Sequence, residues 1–240
     1  MLSINTNVGA LKAASASYSV NKSMDTSMQR LSTGKRINSA ADDAAGVQIA
    51  NRLTAEIQGL NMAVRNAADG QALLATAEGA MEEIHNILLR ARELAVQASN
   101  GTTSTADKLA LQNEVAALEL EITRIASDTT WAGIKLLDGT QTNGITFQIG
   151  ADSGQTVTHS IGEMSTGGAT IGVSASDGLT SDTNAFSYIG AMDKAISNLG
   201  AEREQLGAVM NRLDHTISNH QNIDSEHLLL SILENVEWAN

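Results

Sequence analysis

The sequence has no cysteine and no proline, and aromatic residues fill only 2 % of its 240 positions. Without cysteine there is no disulfide, no thiolate metal site and no cysteine nucleophile. Whatever fold forms is held by packing. Without proline, no helix is broken or kinked by a missing N–H. So few large rings argue against a compact globule organised around them. No apolar run reaches the roughly 20 residues that a membrane-spanning helix needs; the longest candidate is the short stretch Leu228–Leu233, itself interrupted by Ser231. The N-terminus shows no charged stretch followed by an apolar one, so no ordinary secretory signal is read there. Basic charge is also scarce, with 15 Lys and Arg against 27 Asp and Glu. The imbalance is uneven. Residues 1–66 hold seven basic and four acidic residues, and the remainder holds eight and twenty-three. An acidic bulk of this kind repels phosphates, which excludes nucleic acid as the expected partner.

The usual carriers of chemistry are missing too. His215 and His220 lie five apart, off the one-face spacing of helical metal ligands, and no His-Glu-x-x-His motif occurs. With His85, His159 and His227 they read as solvated or helix-seam residues. Glu82 and Glu83, and Glu119 with Glu121, read as acids facing solvent on helices. There is no Gly-rich phosphate loop carrying a lysine and no Gly-x-Ser-x-Gly elbow. The expectation is a protein without catalysis, cofactor or metal.

What is present is helical periodicity built from Ala, Leu, Ile, Ser and Thr. From residue 4 to 33, Ile4, Val8, Leu11, Tyr18 and Leu31 fall near a 4,3 repeat, with Ser15, Lys22 and Asp25 interrupting the seam. Such a helix buries little by itself and needs a partner to become ordered. Ile4, Val8, Leu11 and Leu31 are its candidate assembly residues. Gly34 marks an end, and residues 38–43 read as a polar connector with capping side chains. From Ala44 a stronger seam runs through Leu53, Ile57, Leu60, Val64, Ala67 and Leu74. After a phase shift it continues through Ile84, Leu88, Ala91, Ala95 and Ala98. At 1.5 Å per residue that helix is about 80 Å long. Gly59, Gly70 and Gly79 weaken it locally.

After the loop at 100–105, a second helix is predicted over 106–127, with Leu111, Val115, Leu118, Ile122 and Ile125 in one stripe. Strand-like stretches follow at 133–139, 145–149 and 155–161, with turn dipeptides between them. Residues 162–184, rich in Gly, Ser, Thr and Asp, read as a surface loop or short hairpin; the Ser and Thr of 151–183 read as a polar exposed loop that could accept O-linked sugars. The most regular seam is the last: Ile189, Met192, Ile196, Leu199, Leu206, Met210, Leu213 and Ile217, broken only by Arg203. A separate short helix is predicted over 225–238, capped by Asp224 or Ser225. The fold class is mainly α: an elongated antiparallel, coiled-coil-like helical rod with a small β-hairpin element at one end. Its packing residues are Leu53, Ile57, Leu60, Val64, Leu118, Ile122, Ile196, Leu199, Leu206, Met210, Leu213 and Ile217. Three regions result: 1–43, a helix and connector poorly ordered alone; 44–223, the rod with its β element near 131–184; and 224–240, a tail.

Several stretches resemble bacterial flagellins. They are Ile4-Asn5-Thr6-Asn7; Arg30-Leu31-Ser32-Thr33-Gly34-Lys35-Arg36-Ile37-Asn38-Ser39-Ala40-Ala41-Asp42-Asp43-Ala44-Ala45-Gly46; Arg65-Asn66-Ala67-Ala68-Asp69-Gly70; Arg92-Glu93-Leu94-Ala95-Val96-Gln97-Ala98-Ser99-Asn100-Gly101-Thr102; and Leu206-Gly207-Ala208-Val209-Met210-Asn211-Arg212-Leu213. The resemblance covers roughly residues 1–223. It implies a self-assembling structural subunit of the flagellar filament, a homopolymer serving motility. It also implies export through the flagellar secretion channel, an extracellular location, and an export chaperone and filament cap as partners. Terminal helices would form the inner tube and the long helices the outer tube. Some members are recognised by a host Toll-like receptor in innate immunity. The matching positions are Arg90, Leu94 and Glu114, which in the family also serve axial contacts between subunits. Beyond Asn222-Ile223-Asp224 the chain leaves the family pattern, and no partner for the first helix is read there. On that reading polymerisation is weakened, and the alternative is a non-polymerising secreted variant acting as receptor ligand or adhesin.

Overall fold

The computed structural model describes residues 7–173 and 178–236, with side chains up to residue 227. Helix α1 (Val8–Thr33) begins where the Asn7 side chain accepts the Gly9 and Ala10 N–H groups, both at 3.1 Å. It ends at Gly34, which adopts φ 68° and donates its N–H to the Arg30 carbonyl, a left-handed cap that glycine accepts without strain. In the connector, the Asp42 carboxylate accepts from the backbone N–H of Asn38 and from both the N–H and hydroxyl of Ser39. Those donors, Asn38 foremost, hold it below the usual carboxylate range. Asp43 then accepts the Gly46 N–H at 2.9 Å and caps α2 (Ala44–Ala98).

Helix α3 (Thr105–Asp128) is capped by Ser104, which accepts from the Asp107 N–H and donates to its carboxylate. Two small antiparallel sheets follow. Strands β1 (Thr130–Trp131) and β2 (Ile134–Lys135) pair around Ala132-Gly133, both at positive φ, as a two-residue turn requires. Strand β3 (Ile145–Gln148) pairs with β4 (Thr156–His159), placing Phe147 opposite Val157. Helix α4 (Asp182–Val236) is continuous. The separate helix expected from residue 225 is therefore absent up to Val236, and Glu237 and Trp238 lie outside the described residues. The reason is the lack of any Gly or Pro between Gly207 and the end of the chain; Asp224 and Ser225 start no new helix when the preceding turn continues.

Contacts divide the chain into two compact units, Leu60–His220 and Met1–Gly59 with Gln221–Asn240. In the first of these, α2 and α4 are antiparallel. Gln71 donates to the Met210 carbonyl, Glu78 pairs with Arg203, and Arg92 pairs with Asp193. The partner's number falls as α2 is climbed. The core is a ladder of Leu60, Ala63, Ala67, Leu74, Ala77, Met81, Ile84, Leu88, Ala91 and Ala95 on α2 against Ala185, Met192, Ala195, Leu199, Leu206 and Leu213 on α4. Small alanines let the backbones approach closely. Helix α3 adds Val115, Ile122 and Ala126.

Three expectations give way here. Residues 162–184 are not simply a surface loop: Met164, Ile171, Val173 and Leu179 are buried among the helices. Isolated apolar residues in a Gly/Ser/Thr-rich stretch give no periodic signal. Glu119 does not face solvent but is 7 % exposed. His159 is neither solvated nor on a helix seam. It lies buried on β4, and desolvation lowers its pKa.

Gly70 has a specific duty. A Cβ there would lie 2.9 Å from the Phe147 ring, so α2 and β3 meet only because position 70 is bare. Gly79, by contrast, faces open space. Gly70→Val is expected to cost about 1–3 kcal/mol by overpacking, whereas Gly79→Ala should add about 0.5–1 kcal/mol through helix propensity. Urea denaturation of both variants checks the pair of opposite signs.

Candidate assembly and recognition surfaces

Helix α1 buries none of its residues. Val8, Leu11, Tyr18, Val20, Met24, Met28 and Leu31 are each more than half exposed, Leu31 reaching 82 %. At 3.6 residues per turn these side chains form two stripes rather than one. Val8, Leu11 and Tyr18 share one side, and Val20, Met24, Met28 and Leu31 share nearly the opposite one. A single phase followed from Val8 leads into Ser15, Lys22 and Asp25 and passes over Val20, Met24 and Met28. Their 4,4,3 spacing is the signal for a second face. Ile4 lies outside the described residues.

The α2–α3 pair carries a different surface. Arg90 reaches across to Glu114 at 2.9 Å and along its own helix to Glu93 at 3.2 Å. Both carboxylates, Glu114 more strongly, raise the Arg90 pKa above its ordinary value. All three side chains are roughly half exposed or more, and Leu89 is exposed beside them. Leu94 is not part of that surface: it is 2 % exposed and belongs to the core. Of the other packing positions, Leu60, Ile122, Leu199, Leu206 and Leu213 are buried, and Leu118, Ile196, Met210 and Ile217 are half-buried against the core. Val64 is half-buried, as are Leu53 and Ile57, which belong to the unit containing residues 1–59.

A polar seam joins α3 to α4 and the segment leading into it. Lys108, 7 % exposed, pairs with Asp182; the Gln112 side chain accepts the Leu179 N–H; Thr123 meets Thr166 at 3.0 Å. At its centre the Tyr188 hydroxyl donates to the buried Glu119 carboxylate at 2.6 Å. Burial, then the neighbouring Glu119, raise the Tyr188 pKa well above that of a free phenol. These contacts tie α3 to α4 and to the segment before it. Among the described residues no His, Cys, Asp and Glu cluster has a metal-binding arrangement, and no helix is long and apolar enough to cross a membrane.

The molecule built this way has clear counterparts. The family model for the bacterial flagellin N-terminal helical region matches residues 4–142. The chain is 52 % identical over 163 residues to Flagellin B of Vibrio cholerae serotype O1, covering 68 % of this chain and 43 % of that protein. It is 47 % identical over 190 residues to Flagellin E of the same species, covering 79 % and 47 %. In structure it resembles Bacillus cereus flagellin, with a TM-score of 0.56 at 35 % identity over 65 % of this chain and 88 % of that one. The matched stretch spans less than half the length of these curated relatives. With more than half of its residues under one family model and sequence relatives over two thirds of its length, the chain belongs to the bacterial flagellin family.

Proposed function

We propose that this chain is a non-catalytic structural subunit of the bacterial flagellar filament, located outside the cell and built to polymerise with copies of its own kind. The observation that carries this is α1. Seven large apolar side chains stand exposed on two sides of it, and none is buried. Leaving that much apolar surface in water is unfavourable by about 25 cal/mol per Å². One partner helix covers one side only, so both stripes are satisfied when neighbouring copies pack around α1. The Leu60–His220 unit, with its own sealed core, supplies the fixed body that such packing repeats. Export through the flagellar secretion channel, a filament cap and an export chaperone belong to the same reading. Contact with a Toll-like receptor would fall on Arg90, Glu93, Glu114 and Leu89, with Leu94 acting from beneath by holding α2 in place.

Sedimentation and electron microscopy of the purified protein over rising concentration test the reading, with fibres of flagellar width the expected result. A variant lacking residues 1–33 should lose them while keeping the helical circular dichroism and melting of the Leu60–His220 unit. If the deletion assembles as well as the parent, or the parent stays monomeric throughout, α1 is not the assembling element.

A further inference from the structure

The sequence contains eight methionines, and their surroundings differ widely. Met81, Met164 and Met192 are fully buried, and Met62 on α2 is 49 % exposed. Met24 and Met28 are 57 % and 63 % exposed on α1, one helical turn apart on the stripe they share with Val20 and Leu31. Methionine suits a packing surface because its thioether is flexible and polarizable. The same sulfur is the side-chain atom there most open to two-electron oxidants.

We propose that Met24 and Met28 form an oxidant-sensitive modification site, at which hydrogen peroxide or a related peroxide turns an apolar packing stripe polar and withdraws the subunit from assembly. The inference rests on the filament reading of α1 and deepens it. In the reaction the thioether sulfur gives an electron pair to one peroxide oxygen. The O–O bond breaks, an S–O bond forms, and the other oxygen leaves as water after proton transfer. Sulfur is oxidised by two electrons and the peroxide is reduced by two. The sulfoxide is a strong hydrogen-bond acceptor, and burying it without a donor is unfavourable. The hydroxyls closest along α1 are already engaged: Ser23, Thr26 and Ser27 donate to the Ser19, Lys22 and Ser23 carbonyls, each at 3.0 Å. Those three hydroxyls are thus committed to the helix backbone, and Val20 and Leu31 on the stripe carry no donor in their side chains.

The test uses the full chain treated with graded hydrogen peroxide. Peptide mass spectrometry should show Met24 and Met28 oxidising at least about tenfold faster than Met81, Met164 and Met192, following exposure. The concentration at which the treated protein assembles should rise by about tenfold or more. Methionine sulfoxide reductases with a thiol reductant should restore it. The double variant Met24→Leu and Met28→Leu should keep, after peroxide, whatever threshold it shows before treatment, even where Met62 is oxidised. The proposal is overturned if Met24 and Met28 oxidise no faster than the buried methionines. It is equally overturned if their oxidation leaves the threshold unchanged, or if peroxide impairs the leucine variant as much as the parent. Untreated protein that never assembles would sink the filament reading itself, and that arm is separate from the peroxide comparison.

Discussion

Replacing Leu94 with alanine should lower the stability of the Leu60–His220 unit by about 2–5 kcal/mol, the cost of emptying a well-packed leucine site. Leu94 is 2 % exposed and packs in the same cluster as Ala91 and Ala95. For a unit of this size each kcal/mol moves the melting temperature by about 2–4 °C, so the change is large and easily measured. Arg90→Ala should scarcely move the melting temperature, because Arg90 and both of its carboxylate partners are roughly half exposed or more and solvent screens the pairs. Leu94→Met, which keeps the volume, should recover most of the loss. The contrast matters for any receptor-binding measurement. A loss at Arg90 or Glu114 reports on contact, whereas a loss at Leu94 reports first on folding. A Leu94→Ala protein with the parent's denaturation midpoint would show that the side chain is not in the core.

The second large effect lies at Tyr188. Tyr188→Phe removes the donor to a buried carboxylate, and hydrogen bonds to charged groups contribute about 1.5–3 kcal/mol. The pH dependence gives a sharper signature. The folded Tyr188 pKa is raised by burial and by Glu119. Its stabilising contribution is therefore complete below the unfolded phenol pKa of about 10 and is lost as pH rises above that value, because only the unfolded chain then releases the proton. Chemical denaturation of the parent should weaken steeply above pH about 10. Tyr188→Phe should begin less stable at neutral pH and lose less on the alkaline side. Parallel alkaline slopes for the two proteins would refute the Tyr188–Glu119 assignment.

These two residues also mark the limit of what periodicity conveys. The α4 seam is legible because Met192, Leu199, Leu206 and Leu213 recur at helical intervals, and every one is buried. The long α2 is legible for the same reason. Glu119 is not, because a carboxylate on an amphipathic helix reads as solvated unless its partner is known, and Tyr188 is 69 residues away. Residues 164–179 are illegible for a related reason. Met164, Ile171 and Leu179 sit at irregular intervals, and only the grooves of a finished helical core reveal that they fill them. On the candidate surface, Arg90 and Glu114 come from resemblance, and their 2.9 Å pairing adds the geometry. The second stripe of α1 is present in the spacing of Val20, Met24, Met28 and Leu31, and is hidden only by following a single phase from Val8.

The links between Gln71 and Met210, Glu78 and Arg203, and Arg92 and Asp193 are spread along roughly 30 Å of α2. A slip of α4 by one helical turn would move its groups about 5.4 Å and break all three together. Two rods tied at several points cannot slide past each other when bent, so they flex as a single thick beam and resist far more than their separate stiffnesses would allow. The cross-ties, with the core ladder between them, thus stiffen a pair of slender helices against bending.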